Sequence, residues 1–187
     1  MEAPTLEQLE EELRREQNKN SIRRMLRNTV FFLVVVAAAA VLMEVLFLPT
    51  VKIEGRSMEG TLREGELVMV KKGAEYSVGD IVAFHYNNEI LVKRVIGLPG
   101  DCVEMDEEGT VSVNGEELRE PYVSEKSYGE CDIAFPCRIP EGEVFVLGDN
   151  RPLSVDSRNS RMGCVSREKV IGKVAARIWP VRKIGFL

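Results

Sequence analysis

The first residue whose surroundings suggest chemistry is Ser57, in the run VKIEGRSMEGTLREGE between Gly55 and Gly60. Glycine permits the tight backbone approach that exposes a hydroxyl group and turns main-chain N–H groups toward a developing oxyanion. A serine in such a turn can attack a carbonyl carbon, provided that a base removes its proton. A glycine-flanked serine alone is weak evidence, so the choice of base decides the interpretation.

A histidine base fits this sequence poorly. The chain holds one histidine, His85, inside an apolar strand pattern where such a residue is usually structural. A lysine can replace it if the amine is neutral at working pH, which requires its pKa to fall several units below about 10.4. Burial among apolar side chains lowers the pKa of a lysine in this way. The low histidine count therefore directs attention to a lysine.

Lys93, in the run EILVKRVIGLPGD, is the lysine best suited to this role. Along a strand its same-face neighbours are Leu91 and Val95, so the amine would enter apolar surroundings if that face is covered. Arg94 occupies the opposite face, which is also largely apolar, and of these two cations the lysine alone can lose its proton. The alternative is a strand-edge lysine whose amine extends to water.

The elements that would position these residues are short β-prone runs after Pro49, separated by glycine, asparagine and proline. They have no long helical periodicity between them, which predicts a mostly β fold built on an antiparallel sheet. Asn114 and Gly115, after TVSV, predict a hairpin because both residues accept positive φ. The runs are GELVMVKKG, GDIVAFHYNN, EILVKRVIGLPGD, GTVSVNGEE, GEVFVLGDN and VIGKVAARIW.

An apolar run from Val30 to Pro49 precedes this region and would span roughly 30 Å as a helix. We predict a cytoplasmic charged tail at 1–28, a transmembrane helix at 29–49 and an extracytoplasmic β-rich domain at 50–187. The tail is either a charged helix or, as we favour, a solvated disordered segment. The orientation follows from the positive residues before the span, which stay in the cytoplasm: Arg14, Arg15, Lys19, Arg23, Arg24 and Arg27.

Two other interpretations of the apolar run fit less well. A buried helix of a soluble protein would need a polar face, which four alanines and a continuous apolar run do not supply. A cleaved secretory signal has a shorter apolar core and a small-x-small cleavage pattern, which LPTVKIEG lacks.

Composition narrows the function further. The chain has 187 residues, a formal net charge of -5 and a pI near 5.2, which suits one domain with an anchor and argues against a nucleic-acid partner. The four cysteines form no Cys-x-x-Cys pair, so we expect neither a metal site nor another cofactor. Cys131 and Cys137 either close a small disulfide loop outside the membrane or stay reduced.

Four ordered motifs after the apolar run resemble those of type I signal peptidases, the membrane-bound Ser/Lys endopeptidases that remove signal peptides from exported proteins. The motifs are SMEGTL, GDIVAF, KRVIGLPGD and GDNRPLSVDSR. The resemblance extends from the anchor to the C-terminus. It implies a signal-peptidase/LexA-like antiparallel β domain after one transmembrane helix, in the single-span form common in Gram-positive-type bacteria. Its implied partners are the signal peptides of secreted precursors and the lipid bilayer of the cell membrane.

The resemblance also implies a role for each matching residue. Ser57 resembles the family's nucleophile, Lys93 its general base, and Ser154 the serine whose hydroxyl orients the lysine amine. The resemblance implies that four charged residues support the site: Asp149, Arg151, Asp156 and Arg158. It also implies shallow apolar pockets for small substrate residues such as Ala, lined by Met58 and Leu91. The alternative for Asp156 and Arg158 is an energetically minor surface salt bridge.

The sequence departs from the family pattern at two places. Gly60 stands where the family usually has proline, which suggests a looser turn after Met58. Gly55 stands where some members carry a serine that donates to the oxyanion. The oxyanion site is therefore expected to use the Ser57 N–H and another main-chain group.

Two other protein classes share parts of this pattern. A LexA-like self-cleaving repressor has the Ser/Lys chemistry, but it needs a DNA-binding region and has no membrane span. A non-enzymatic relative used in surface or pilus assembly keeps the fold and loses the dyad. The presence of both Ser57 and Lys93 favours the enzyme.

Overall fold

The computed structural model describes residues 6–187, and their side chains except those of residues 6–13, 16–17 and 44–47. One long helix, α1, extends from Leu6 to Phe47 without a break at residue 28. Between its ends the sequence contains no proline, and Pro49 follows its last turn. Of the two alternatives for the charged segment, the structure therefore has the helix from Leu6 onward, while residues 1–5 of the predicted tail lie outside the described residues.

The apolar part of α1 is long enough to cross a membrane. The segment Asn18–Met43 has 26 residues with a hydropathy of 2.1, and none of it is buried inside the protein. It overlaps the predicted span at 29–49 and begins earlier along the chain.

A second compact unit, Leu46–Leu187, holds the strands. The predicted runs all contain strands, and the structure adds short strands that the sequence pattern did not reveal: Thr50–Lys52, Cys102–Met105, Cys137–Arg138, Val165–Ser166 and Gly185–Phe186. In chain order the strands are β1 Thr50–Lys52, β2 Leu67–Lys72, β3 Ile81–Tyr86, β4 Glu89–Gly97, β5 Cys102–Met105, β6 Val111–Val113, β7 Glu116–Glu117, β8 Cys137–Arg138, β9 Glu143–Leu147, β10 Val165–Ser166, β11 Val170–Trp179 and β12 Gly185–Phe186. Two 3₁₀ turns, Arg167–Lys169 and Val181–Lys183, flank β11.

The larger sheet has the strand order β1-β2-β11-β3-β4-β9-β10, with β12 beside β11. Its pairings are antiparallel, so the predicted fold class, mostly antiparallel β after one N-terminal apolar helix, is confirmed. β11, from near the C-terminus, lies between β2 and β3 and so joins the beginning and the end of the chain. This arrangement brings C-terminal side chains beside the segment that contains Ser57.

The smaller sheet has the order β7-β6-β5-β8. The predicted hairpin is present between β6 and β7, where Asn114 and Gly115 have φ values of 53° and 84°. Both residues therefore adopt the left-handed conformation on which the prediction depended.

The cysteines are free thiols in the structure. The Sγ atom of Cys131 contacts the Ile133 carbonyl oxygen at 3.6 Å, whereas Cys137 and Cys164 pack against a hydrophobic cluster that contains Ile139 and Phe145. Of the two alternatives for Cys131 and Cys137, the structure has the unpaired one.

The turn at residues 57–61, which contains Ser57, is anchored in one of the hydrophobic cores. Met58 and Leu62 are 2% and 0% exposed and pack in a cluster with Val51, Val68 and Val92. Burying a leucine side chain stabilises a fold by about 2 kcal/mol. The segment containing Ser57 is thus tied to the sheet by apolar packing on its inner side.

We expect Leu62→Ala to lower the free energy of unfolding by about 2–5 kcal/mol, because it removes a fully buried side chain and leaves a cavity. Urea denaturation of the full chain in detergent measures this change. Leu153→Ala is the matched control, since Leu153 is 57% exposed and should change the stability by less than about 0.5 kcal/mol. Equal effects of the two substitutions would contradict the assignment of Leu62 to the core.

Candidate active site

Ser57 begins a tight turn a few residues after β1. The N–H groups of Thr61 and Leu62 both donate to the Met58 carbonyl, at 3.2 and 2.8 Å, and close the turn. The Asn150 N–H donates to the Ser57 carbonyl at 3.0 Å. Within the described chain the Ser57 N–H makes no hydrogen bond, so it is available to an incoming carbonyl oxygen.

The two positions that depart from the family pattern have unusual backbones. Gly60 has φ of +117°, and a Cβ atom there would lie 3.0 Å from the Tyr122 carbonyl oxygen. Proline fixes φ near about −65°, so this turn differs from one that carries proline. Gly55 has φ of +74° with open space around its Cα, and it offers no side-chain donor to an oxyanion.

Lys93 projects from β4 into the protein interior. The residue is 3% exposed, and its Nζ atom is 3.0 Å from the Oγ atom of Ser154, which is itself 4% exposed. Within residues 6–187 no carboxylate forms an ion pair with this amine. The amine is therefore oriented by a neutral hydroxyl group.

Burial lowers the pKa of Lys93 from 10.5 to about 8. The nearby charges oppose one another, because the carboxylates of Asp156 and Asp149 raise this pKa and the guanidinium of Arg158 lowers it. Desolvation is the largest of these effects. The lowered value leaves a substantial fraction of neutral amine in mildly alkaline solution.

Asp156 and Arg158 form a bidentate ion pair beside Ser154. The Nε and Nη2 atoms of Arg158 each lie 2.8 Å from a different oxygen of Asp156. Both side chains are fully buried, which rules out the exposed salt bridge considered from the sequence. Arg158 also donates to the carbonyl oxygens of Tyr128 and Arg151, both at 2.9 Å. Removing one partner of such a pair costs about 3–5 kcal/mol, because an unpaired charge stays buried.

Asp149 pairs with Arg94, a partner that the sequence did not indicate. Arg94 Nε and Nη2 donate to the two Asp149 oxygens at 2.8 and 2.6 Å. The guanidinium carbon also lies 3.8 Å from the centre of the Tyr122 ring. The two neighbouring cations of β4 are therefore both buried. They differ in their partners, because Arg94 is neutralised by a carboxylate and Lys93 is not.

Arg151 pairs with Glu120, a second partner that the sequence did not indicate. Both side chains are almost completely buried, and Arg151 donates to both oxygens of Glu120. The Nε atom of Arg151 donates to the Gly148 carbonyl at 3.0 Å. A separation of 31 residues leaves no periodic pattern by which Glu120 could have been found.

Gly148 is the point where these groups converge. A Cβ atom on Gly148 would lie 2.2 Å from Ser154 Oγ and 2.5 Å from the Ser57 carbonyl oxygen. Its N–H donates to Asp156 at 3.0 Å. Ser57, Ser154 and the ion pair therefore surround one residue that has no room for a side chain.

A cleft beside Ser57 contains the two predicted pocket residues, Met58 and Leu91. Its walls are the segment after β1 and the first half of β4, and it is lined by Lys52, Ile53, Glu54, Ser57, Met58, Ile90, Leu91 and Val92. It adjoins a more open cleft of about 370 Å³ along the same two segments. Val92, the residue before Lys93, lies in the wall of the cleft beside Ser57, whereas Lys93 is not among the lining residues.

No group of three or more His, Cys, Asp or Glu residues in the described chain is arranged to hold a metal ion. The described site offers instead a hydroxyl group, a buried amine with a lowered pKa, an uncommitted main-chain N–H and a groove. Acyl transfer by a serine with a lysine base uses groups of these kinds.

The sequence is similar to those of known proteins. A family model described as "Signal peptidase, peptidase S26" matches residues 25–179. A "Signal peptidase I" from Bacillus licheniformis is 38% identical over 152 residues, covering 74% of this chain and 80% of the relative. A "Signal peptidase IB" from Staphylococcus aureus is 38% identical over 148 residues, covering 68% of this chain and 76% of the relative.

A crystal structure of a signal peptidase I from Enterococcus faecalis is 34% identical in sequence. The alignment has a TM-score of 0.47 and covers 55% of this chain and 98% of that chain.

We expect Gly148→Ala to destabilise the protein by about 1–3 kcal/mol, because the added methyl group would overlap Ser154 and the Ser57 carbonyl. Chemical denaturation of the full chain measures the loss. Gly185→Ala is the control, since no atom lies within 4 Å of the added group there. A Gly148→Ala protein as stable as the control would show that the convergence on Gly148 is looser than described.

Proposed function

This chain belongs to the signal peptidase family, peptidase S26, and on that premise we propose that it cleaves signal peptides from secreted precursors with Ser57 as nucleophile and neutral Lys93 as general base. The observation that carries the proposal is the buried Lys93 amine, hydrogen-bonded to Ser154 and without an ion-pair partner among the described residues. A protonated amine could not accept a proton, and an amine in water would be protonated at neutral pH.

In the first step Lys93 takes the proton of Ser57 while the Ser57 oxygen bonds to the scissile carbonyl carbon. The negative oxygen that forms is stabilised by the Ser57 N–H and a second main-chain group, since Gly55 provides no hydroxyl. The protonated lysine then gives its proton to the leaving amine, and the peptide bond breaks. A water molecule that Lys93 deprotonates hydrolyses the remaining ester and restores Ser57.

Ser154 and the Asp156–Arg158 pair position the Lys93 amine for this chemistry. The Ser154 hydroxyl holds the amine in one direction, which a buried neutral base requires. The ion pair fixes the main chain around Ser154, because Arg158 also contacts the Ser154 carbonyl at 3.3 Å. Asp149 and Arg151 hold the same loop through their partners on other segments.

The groove suits an extended peptide. β9 pairs with β4 only from Arg94 onward, so no strand of the described chain covers the other edge of Glu89–Lys93. The segment Lys52–Glu54 lines the opposite wall of the cleft. A precursor strand between them could pair with main-chain groups on both sides, which is a form of β-augmentation. Small residues at the first and third positions before the cut would enter the shallow space beside Met58 and Leu91.

The membrane arrangement is part of the proposal. We place α1 across the cell membrane with the N-terminus in the cytoplasm and residues 50–187 outside, following the basic residues before the span. Exposed apolar side chains at the C-terminal end of the β-rich unit support work at a lipid surface: Trp179, Val181, Ile184 and Phe186. The substrate, tethered by its own apolar segment, would reach the same surface.

We expect Ser57→Ala and Lys93→Ala each to reduce cleavage of a signal-peptide substrate by about 10³-fold or more, because each removes a group that reacts. A fluorogenic peptide with Ala at the first and third positions before the cut, assayed with the full chain in detergent, measures this. His85→Ala is the control and should cleave at the wild-type rate. Cleavage that survives either alanine substitution in the dyad would refute the proposal.

The pH dependence tests the base separately. Because Lys93 must be neutral, kcat/KM should rise about tenfold per pH unit below pH 8 and level off above about 8. The measurement is kcat/KM for the same peptide, with no titrating groups in the substrate, between about pH 6 and 10. A limb near about 6.5, the ordinary histidine value, would contradict a lysine base.

A further inference from the structure

The turn at residues 57–61, called here the nucleophile turn, is held at its far end by a cation from β11. Arg177, in β11, donates from Nη2 to the Thr61 carbonyl oxygen at 3.0 Å. The Thr61 hydroxyl donates to Asp149 at 2.5 Å, and its N–H closes the turn. Thr61 is thus fixed from two directions. The contact with Asp149 belongs to the candidate active site, whereas Arg177 has no role in the proposed reaction.

Arg177 is itself fixed by a buried carboxylate, that of Glu66. The Nη1 atom of Arg177 donates to Glu66 Oε1 at 3.3 Å, and its Nε atom lies 3.2 Å from Oε2. Lys183 Nζ approaches the same Oε1 atom at 3.2 Å, and the Arg63 N–H donates to Oε2 at 3.2 Å. The Glu66 side chain is 4% exposed. A carboxylate so enclosed holds the guanidinium in place beside Thr61.

From this geometry we infer that Arg177 is a positioning residue for the nucleophile. It acts through the Thr61 carbonyl, fixes the end of the turn that begins at Ser57, and so sets the direction of the Ser57 hydroxyl toward Lys93. Glu66 and Lys183 contribute by holding Arg177. The inference rests on the proposed function, since Ser57 must be the nucleophile for its direction to matter.

A residue that positions Ser57 changes the rate of attack, whereas a residue that acts electrostatically changes the pKa of Lys93. The charges that act on Lys93 are those of Asp156, Arg158 and Asp149, and Arg177 is not among them. Removing Arg177 should therefore leave the pH dependence of the base unchanged. Its effect should fall on the rate of attack, because misplacing reacting groups by about 1 Å can cost about 100-fold.

The test compares steady-state cleavage of the fluorogenic peptide by full-length variants in detergent. We expect Arg177→Gln to lower kcat by about 10- to 100-fold, with KM changed less than about twofold and the pH limb still near 8. Arg177→Lys keeps the charge but loses the fork of donors, and should recover part of the rate. An unchanged kcat, a change confined to KM, or a shifted pH limb would overturn the inference.

Lys173→Met provides a matched control. Lys173 also lies in β11 and pairs with a carboxylate, that of Asp80, at 2.8 Å, with its side chain 33% exposed. It does not contact the nucleophile turn, so kcat should stay at the wild-type value. A loss equal to that of Arg177→Gln would mean that any weakened β11 contact lowers the rate, and would overturn the inference.

Arg177→Gln leaves Glu66 buried with one cation fewer, so folding is checked by thermal unfolding. If that variant does not fold, the Glu66→Gln/Arg177→Met double variant removes both charges of the pair and takes its place. It should show the same kcat loss, and wild-type kcat would overturn the inference. Ser57→Ala is assayed in parallel. Cleavage by Ser57→Ala would refute the proposed function, whereas Arg177 variants that match the wild type while Ser57→Ala is inactive would refute the inference alone.

Discussion

The candidate active site depends on burying the Lys93 amine away from water without an unpaired carboxylate beside it. Three buried carboxylates surround this region, and each is paired with an arginine: Asp156 with Arg158, Asp149 with Arg94, and Glu120 with Arg151. An unpaired carboxylate would favour the protonated lysine, whereas a paired one contributes little net potential. Arginine suits this task because it stays charged, so each pair keeps its balance over the pH range in which Lys93 titrates. Burial is the largest cause of the lowered pKa of Lys93, and Arg158 lowers it further against the raising effect of Asp156 and Asp149.

The sheet order explains how distant segments meet around that amine. β11 lies between β2 and β3, so residues near the C-terminus reach the turn after β1. β4 delivers Lys93 to one face and Arg94 to the other, and the loop after β9 delivers the residues that each cation meets. Hydrogen bonds to main-chain carbonyl oxygens also join these segments. The Arg158 side chain and the Asn150 N–H each donate to a carbonyl oxygen of another segment. Gly148 marks the place where Ser154 and the Ser57 carbonyl approach most closely, and a single methyl group there would push these segments apart.

Local pattern was enough to predict strands in six runs and the Asn114–Gly115 hairpin. It indicated Ser57 and Lys93 only as candidates, and the family resemblance implied their roles in the proposed dyad. The strands were visible because β-branched and aromatic residues cluster between turn residues. What the sequence left open were contacts between residues far apart in the chain. Glu120 with Arg151 and Glu66 with Arg177 are separated by 31 and 111 residues, and no local spacing encodes such pairs. The cysteines show the same limit, since Cys137 and Cys164, which are far apart in the sequence, pack against the same hydrophobic cluster.

The groove described above is bounded by two backbone edges that face each other, Lys52–Glu54 and Glu89–Val92. A folded protein presents strands already paired with neighbours, and such a sheet cannot enter between two opposed edges. A single chain with free main-chain groups on both sides can enter. Under the proposed function, the enzyme would therefore select its cleavage sites by conformation before it selects them by sequence. Alanine pairs inside folded secretory domains would be protected from it, and a precursor would remain a substrate only while the segment around its cut was unfolded.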